Sequence, residues 1–360
     1  MTQNEYTLNL ILKTIWYHII KCYVNLGLFF TLKKIKVVGK ENIPKKGAII
    51  FIGNHQNALI DPLLIPITNH RNTYFLTRAS AFVNKFVEFL LFSVNMIPVY
   101  RIRDGIKTIK KNVVTFENCS KILKKEQTLV IFAEGKHHLK RKVLPLKKGF
   151  ARIILATLQK YPELPIQIIP VGINYDNPIK YPCSVSLHYG KPILANEFIN
   201  TSNIDFKFTD LINKVHSSLK KLTTHIEDIE QYDEIINQLN KKQVDFLNPI
   251  KINELIINKD KLNLRKSYNS KEINWFAPIH FIAKINSILP LLIWKSIKTK
   301  IKDEIFNNTY RFALISTLFP VFYLIQTWLV NYFFSLKIAI IYLISAIILG
   351  LITTKTTKIT

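Results

Sequence analysis

"GAIIFIGNHQNALIDPLLI", Gly47 to Ile65, is the stretch on which the fold of this chain turns. It opens with an apolar run that reads as a strand, passes through Gly53-Asn54-His55, and ends in a segment carrying Asp61-Pro62. Gly53 and Asn54 are turn formers that tolerate unusual backbone angles. His55 and Asp61 stand six positions apart, too far for helix neighbours, which meet at i+3 or i+4. On a straight strand they would share a face at roughly 20 Å. A strand, a turn and a short helix in succession would bring the two together by folding the chain between them. A histidine beside an aspartate is then suited to take a proton from a hydroxyl, the carboxylate fixing the tautomer and steadying the imidazolium. The plainer alternative is a helix start with Asn54 as its cap and Asp61 exposed. The residues alone leave both readings open.

Outward from this stretch the pattern is α/β. "IKVVG", "TYFLT", "TLVIFA", "IQIIPVGI" and "SVSLHY" are short apolar runs bounded by turn residues, as expected of strands. Helix-like stretches near residues 81–92, 105–125 and 148–160 lie between them. Such alternation predicts a sheet wrapped by helices over residues 35–195. Pro170 inside "IIPVGINY" is expected at a sheet edge or a strand end, since proline has no N–H for the ladder.

Three other regions flank this domain. Residues 1–34 carry Trp16, Tyr17 and Tyr23 among apolar patches interrupted by Lys13, His18 and Lys21. They read as one or two amphipathic helices, packed on a core or lying at a membrane interface. Residues 196–273 are polar, with helical spacing, and read as solvated helices. Residues 274–354 are different in kind. Phe312–Phe334 is 23 residues without a charge, and Ile338–Thr353 adds 16 more. This predicts a transmembrane hairpin kinked at Pro320. Phe276–Trp294 is interrupted by His280 and Lys284 and reads as an interfacial or re-entrant helix. Lys295, Lys298, Lys300, Lys302 and Arg311 flank one end of the hairpin and Lys355 and Lys358 the other. By the positive-inside rule both ends face the cytoplasm, which predicts a cytoplasmic (inner) membrane protein with its soluble domain on that side.

Lys and Arg number 50 against 24 acids, a net charge of +26. That points to polyanionic partners: nucleic acid, an anionic membrane or phosphorylated substrates. Between Arg101 and Lys148 there are 14 basic and 4 acidic residues, +10 in 48 positions, so the basicity is concentrated. Within it, Arg101 and Arg103 follow the strand-like "IPVY" on one face, where two guanidiniums clamp a phosphate or simply meet solvent. "LVIFAEGKHHLKRKVLPLKKG" delivers Glu134 and Gly135 to the end of a strand, followed by Lys136, His137 and His138, with Lys147 before a helix start. Cys22, Cys119 and Cys183 are widely spaced and form no metal-ligand pattern.

Taken in order, these stretches resemble the four blocks of the glycerophosphate/lysophosphatidate acyltransferase family. The first block usually spaces His and Asp by four residues. "NHQNALIDP" has one more and is similar to the subgroup that reads NHxNxxxDP. "IPVYR" matches the second block, "FAEGKHH" the third and "IIPVG" the fourth, over residues 35–192. The third departs from the usual FPEG, with Ala133 in place of proline and Lys136-His137-His138 after the glycine.

The resemblance implies the glycerolipid acyltransferase fold, a mixed sheet flanked by helices. It implies an O-acyltransferase of phospholipid synthesis, with His55 as general base and Asp61 as its orienting partner. Arg101 and Arg103 are then expected to bind the acceptor's phosphate with Lys147 assisting, and Glu134, Gly135 and Lys136 to shape that site. The implied acceptor is glycerol 3-phosphate or 1-acyl-glycerol 3-phosphate. The implied donor is a thioester, acyl-CoA or acyl carrier protein, with no cofactor and no metal. The lipid bilayer is the expected partner, and nucleic acid is not, because no aromatic-interleaved basic module is present. The competing expectations are another lysolipid acceptor, or a lipid-binding membrane protein without catalysis.

Overall fold

The computed structural model describes residues 3–100, 111–200, 205–258 and 274–357. Helix α1 (Gln3–Thr31) leads into an eight-stranded sheet. Its strands are β1 (Lys34–Val38), β2 (Ala48–Gly53), β3 (Thr73–Arg78), β4 (Met96–Val99), β5 (Thr128–Ile131), β6 (Ile166–Tyr175), β7 (Ser184–Tyr189) and β8 (Ile193–Leu194). The order is β1-β7-β6-β2-β5-β3-β4, with β8 paired to β6. Strands β6, β2, β5, β3 and β4 run parallel, and β7 turns antiparallel to β6. The sheet is therefore mixed, and β2, which delivers the Gly53-Asn54-His55 turn, lies inside it.

Every residue of β2 is buried, and its side chains alternate between two layers. Ile50 and Ile52 face α4 (Asn112–Lys124), α5 (Gly149–Lys160) and α6 (Phe208–Leu222), among Leu123, Phe150, Ile154 and Leu219. Ile49 and Phe51 face the other way, toward Leu28 and Leu32 of α1 and toward Leu64 of α2 (Ile60–Thr68). The expected sheet flanked by helices is what forms.

Pro170 differs from expectation. Strand β6 is interior, paired to β2 along one side. On its other side the partner changes at Pro170, from β8 at Gln167–Ile168 to β7 from Val171 onward. The proline falls where one ladder stops and the next begins, so its missing N–H breaks no run of bonds.

The polar region contributes to the core. Helix α6 buries Leu211, Val215 and Leu219, spaced four apart, against the sheet. Helices α7 (Tyr232–Lys241) and α8 (Pro249–Ile257) close a small separate cluster around Leu239 and Ile252.

At the carboxy-terminal side come α9 (Ala277–Asn286) and α10 (Ile288–Lys298), bent by 85° at Ser287. Then follow α11 (Asn307–Ser316), α12 (Leu318–Phe333) and α13 (Leu336–Thr356). Two stretches, Glu304–Phe333 and Leu336–Thr356, are long and apolar enough to cross a membrane. The first breaks at Thr317, three residues before Pro320, as a proline ring forces on the turn preceding it. Its beginning is not lipid-facing: Phe312 and Ser316 are buried, and Phe312 joins the core layer of α1 and α2. Two of the basic residues flanking the hairpin have protein partners. Arg311 lies over the rings of Tyr181 and Trp294, and the Lys355 ammonium donates to the carbonyls of Phe29 and Leu32 at the end of α1.

Candidate active site

The chain folds between His55 and Asp61 so that His55 Nδ1 lies 3.0 Å from Asp61 Oδ2. Asn57 turns the backbone: its Oδ1 accepts from the N–H groups of Leu59 and Ile60, starting α2. Asp61 and Pro62 then occupy the first turn, where a proline is tolerated and the helix dipole favours an anion. Asp61 is 0% exposed, so the reading of an exposed aspartate fails. Asn54 is not the helix cap either; its side-chain amide donates to the carbonyl of Ile173 and accepts from that residue's N–H, stitching the β2 exit to β6.

A buried carboxylate needs donors to stay charged. Asp61 Oδ2 accepts from the N–H groups of Gln56 and Asn57 at 2.7 Å each, as well as facing His55. Its Oδ1 accepts the phenol of Tyr175 at 2.7 Å. Burial, then the Asp61 charge, push that phenol well above its ordinary pKa, so it stays a donor. Tyr175 closes "IIPVGINY", at the end of β6, the strand beside β2. The sequence reading of that stretch turns on Pro170 and does not single out Tyr175. The signal was present: it is a polar-tipped residue at the exit of a buried strand.

The histidine ring is fixed by packing. It stacks on Phe132 with centroids 4.3 Å apart and planes 20° apart. Gly53 makes room, since a Cβ there would lie 3.0 Å from the Phe132 ring. The ring of His137 meets His55 edge-on at 5.7 Å and meets Phe306 on its other side at 5.4 Å. Burial, then the neighbouring His55 and Arg78, hold His137 below its ordinary pKa and hence neutral. With Nδ1 facing Asp61 and the ring side chain 14% exposed, Nε2 is the nitrogen His55 offers to a reactant.

The remaining sequence candidates divide. Glu134 is buried at the end of the β5 segment; its Oε2 faces His138 Nε2 at 3.1 Å and its Oε1 accepts from Leu144 N–H. It therefore braces the loop that follows, whose His138 N–H also donates to the carbonyl of His55. Gly135 has φ +72°, a conformation other residues rarely adopt. Lys136 and Lys147 are exposed beside it, the Lys147 stem 3.5 Å from where a Gly135 Cβ would sit. Arg101 and Arg103 lie outside the described residues. Arg141, one of the basic run, is not free for a ligand. It is buried, donates to the carbonyls of Tyr175 and Asp176, and lies over the Phe246 ring. Sequence reading also passed over Arg78, at the end of β3 and close enough to bias His137. The root of the hairpin reaches the same place: besides Phe306, Thr309 donates to Asn57 Oδ1 at 3.4 Å.

A buried, multiply held aspartate orienting a histidine whose second nitrogen faces outward is an arrangement for general-base chemistry on a hydroxyl. The family model described as Acyltransferase matches residues 34–174, from β1 to near the end of β6, with the His55–Asp61 turn and the Glu134–Gly135 loop inside it. Over those residues the chain is similar to the acyltransferase family. The chain is 30% identical over 105 residues to glycerol-3-phosphate O-acyltransferase 1 of Saccharomyces cerevisiae, covering 28% of this chain and 14% of that one. Over 134 residues it is 29% identical to the 1-acyl-sn-glycerol-3-phosphate acyltransferase of Borreliella burgdorferi, covering 37% of this chain and 51% of that one. A crystal structure of the 1-acyl-sn-glycerophosphate acyltransferase of Thermotoga maritima superposes with a TM-score of 0.44 at 19% identity, over 63% of this chain and 86% of that one. The chain spans about half the length, or less, of the curated relatives it matches.

Proposed function

We propose that the protein is a membrane O-acyltransferase that moves an acyl group from a thioester to the hydroxyl of glycerol 3-phosphate or 1-acyl-glycerol 3-phosphate. The observation that carries this reading is the His55–Asp61 pair, held at 3.0 Å inside an acyltransferase domain. His55 Nε2 takes the proton as the acceptor oxygen attacks the thioester carbonyl carbon. The tetrahedral intermediate collapses, the C–S bond breaks, and the imidazolium returns its proton to the departing thiolate. An alcohol is far too weak an acid to attack unaided near neutrality, and a positioned base contributes roughly 10²–10⁴-fold. Asp61 stabilises the transient imidazolium and keeps the proton of the resting ring on Nδ1.

Arg78, Lys136 and Lys147 are the described cations that support a phosphate-bearing acceptor. The donor is acyl-CoA or acyl carrier protein, as co-substrate. The basic residues at the hairpin ends support placing the site on the cytoplasmic side. The test is an acyl-transfer assay on membranes carrying the wild type or His55→Ala, offering each acceptor separately with each donor. Product with one acceptor, lost in His55→Ala, fixes the step. No product with any pair overturns the proposal.

A further inference from the structure

Helix α3 (Lys85–Ser93, "KFVEFLLFS") is mostly apolar, yet it buries no residue. Val83 just before it, then Phe86 and Phe89, are 72%, 70% and 68% exposed, at steps of three that place them along one stripe. Nine residues are too few to hold a helix in water by propensity alone. Its attachments lie at its ends. Asn84 caps it through Val87 N–H, the Phe82 and Phe92 rings meet at 5.3 Å, and the Trp16 indole of α1 donates to Ser93 Oγ.

That last bond joins α3 to a second unpartnered face. Along α1, Leu12, Ile15, Ile19 and Leu26 are half exposed at helical spacing, with Trp16 and Tyr23 beside them. Helix α1 is in turn fastened to the apolar hairpin. Besides the Lys355 contacts at its carboxy-terminal end, Thr354 Oγ1 donates to the Phe30 carbonyl, Tyr23 OH to that of Ser316, and Lys33 to that of Thr357. Gly27 allows the close approach, since a Cβ there would lie 2.5 Å from Ser316 Oγ. The exposed apolar surface is thus continuous from the two membrane-length helices, across α1, to α3. Isolated apolar residues are ordinary on a soluble surface, whereas a contiguous face of this kind marks a contact. Trp and Tyr next to aliphatic stripes are the composition of a membrane–water interface.

We infer that α3, with the outer face of α1, lies in the bilayer interface as a second membrane contact besides the hairpin, with Val83, Phe86 and Phe89 immersed among lipid. This contact borders the candidate active site, because β3 runs parallel beside β5, so Arg78 and the loop carrying His137 leave the sheet at the same edge, and the chain runs from Arg78 into α3. The rim at Arg78 is then held at the membrane surface, where a lysolipid's head group resides. The location of α3 is independent of the proposed reaction.

The full chain is reconstituted in phosphatidylcholine–phosphatidylglycerol vesicles, with the exposed Cys22 replaced by serine. A nitroxide is attached in turn to Val83→Cys, Phe86→Cys and Phe89→Cys, all tolerant positions because their side chains touch little. Ile229→Cys, an exposed apolar residue in the polar loop between α6 and α7, serves as the aqueous reference. The expected result is a severalfold higher ratio of oxygen to water-soluble nickel-chelate accessibility at 83, 86 and 89 than at 229. Ratios equal to that at 229 place α3 in water and overturn the inference. Shielding from both reagents means a protein covers the face, which overturns it too. None of these readings depends on turnover, so they stand apart from the outcome of the acyl-transfer assay.

Discussion

The phenol of Tyr175 donates to Asp61 Oδ1 at 2.7 Å, across 114 residues of sequence, while the opposite oxygen of the same carboxylate faces His55. The end of β6 therefore helps to hold the orientation of a residue on α2, and through it the ring of the proposed base.

Removing the base or its partner isolates the chemistry. His55→Ala and Asp61→Asn are each expected to lower kcat by roughly 10²–10⁴-fold while membrane association persists. Tyr175→Phe keeps the ring in its buried slot and removes one donor, leaving Asp61 its three contacts on Oδ2. A fall of about tenfold in kcat, equivalent to ~1.4 kcal/mol, with KM nearly unchanged is expected. Steady-state kinetics on the three variants checks this, and an unchanged kcat in Tyr175→Phe would separate the phenol from the mechanism.

Gly172, in "IIPVG", is required by packing. A Cβ there would run into the carbonyl of Leu222, the last residue of α6, and the adjoining Asn174 side chain donates to that same carbonyl. Gly172→Ala is expected to cost at least ~1–3 kcal/mol, the scale of overpacking. Gly47→Ala, where a Cβ meets nothing but φ is +95°, should cost less. Denaturation midpoints of the two variants rank them.

Arg141 is a fastener with a charge. Burial pushes its pKa down to about 10, and its guanidinium spans the carbonyls of Tyr175 and Asp176 with Phe246 against its plane. A lysine has one ammonium and no plane to offer. Arg141→Lys is thus expected to destabilise the fold and, by loosening Tyr175, to lower activity. Thermal unfolding and kinetics on one preparation read both effects.

Burial, the largest cause in each case, holds His137, His188, His216 and His225 below the ordinary 6.5. Below that pH the unfolded chain binds protons that the folded chain refuses. The stability is thus fully present above about pH 6.5 and declines as pH falls through and below it. The denaturation midpoint should drop between about pH 7.5 and 5.5. His188→Gln should show a shallower drop, since His188 is a single buried imidazole facing the Leu247 carbonyl.

Much of this was legible in the chain order of residues. The alternation of short apolar runs with helical spacing gave a sheet wrapped by helices, because a two-residue and a 3.6-residue period are local properties. The His55–Asp61 pair was legible for a related reason: six residues with Gly53, Asn54 and Asn57 can fold only a few ways. The uncharged runs near the carboxy terminus announced membrane-length helices by length alone. Where the chain's distant parts meet was not legible. Tyr175 on Asp61, Phe132 under His55, Arg141 taken out of the basic surface, and Phe306 against His137 each join segments far apart in sequence. Pro170 also belongs here, since a strand's neighbours on either side leave no mark in its own residues. Sequence by itself determined the elements and the chemistry each can carry. The tertiary structure alone decided which groups share a site, because hydrogen bonds and ring contacts act over a few ångströms of space whatever the separation along the chain.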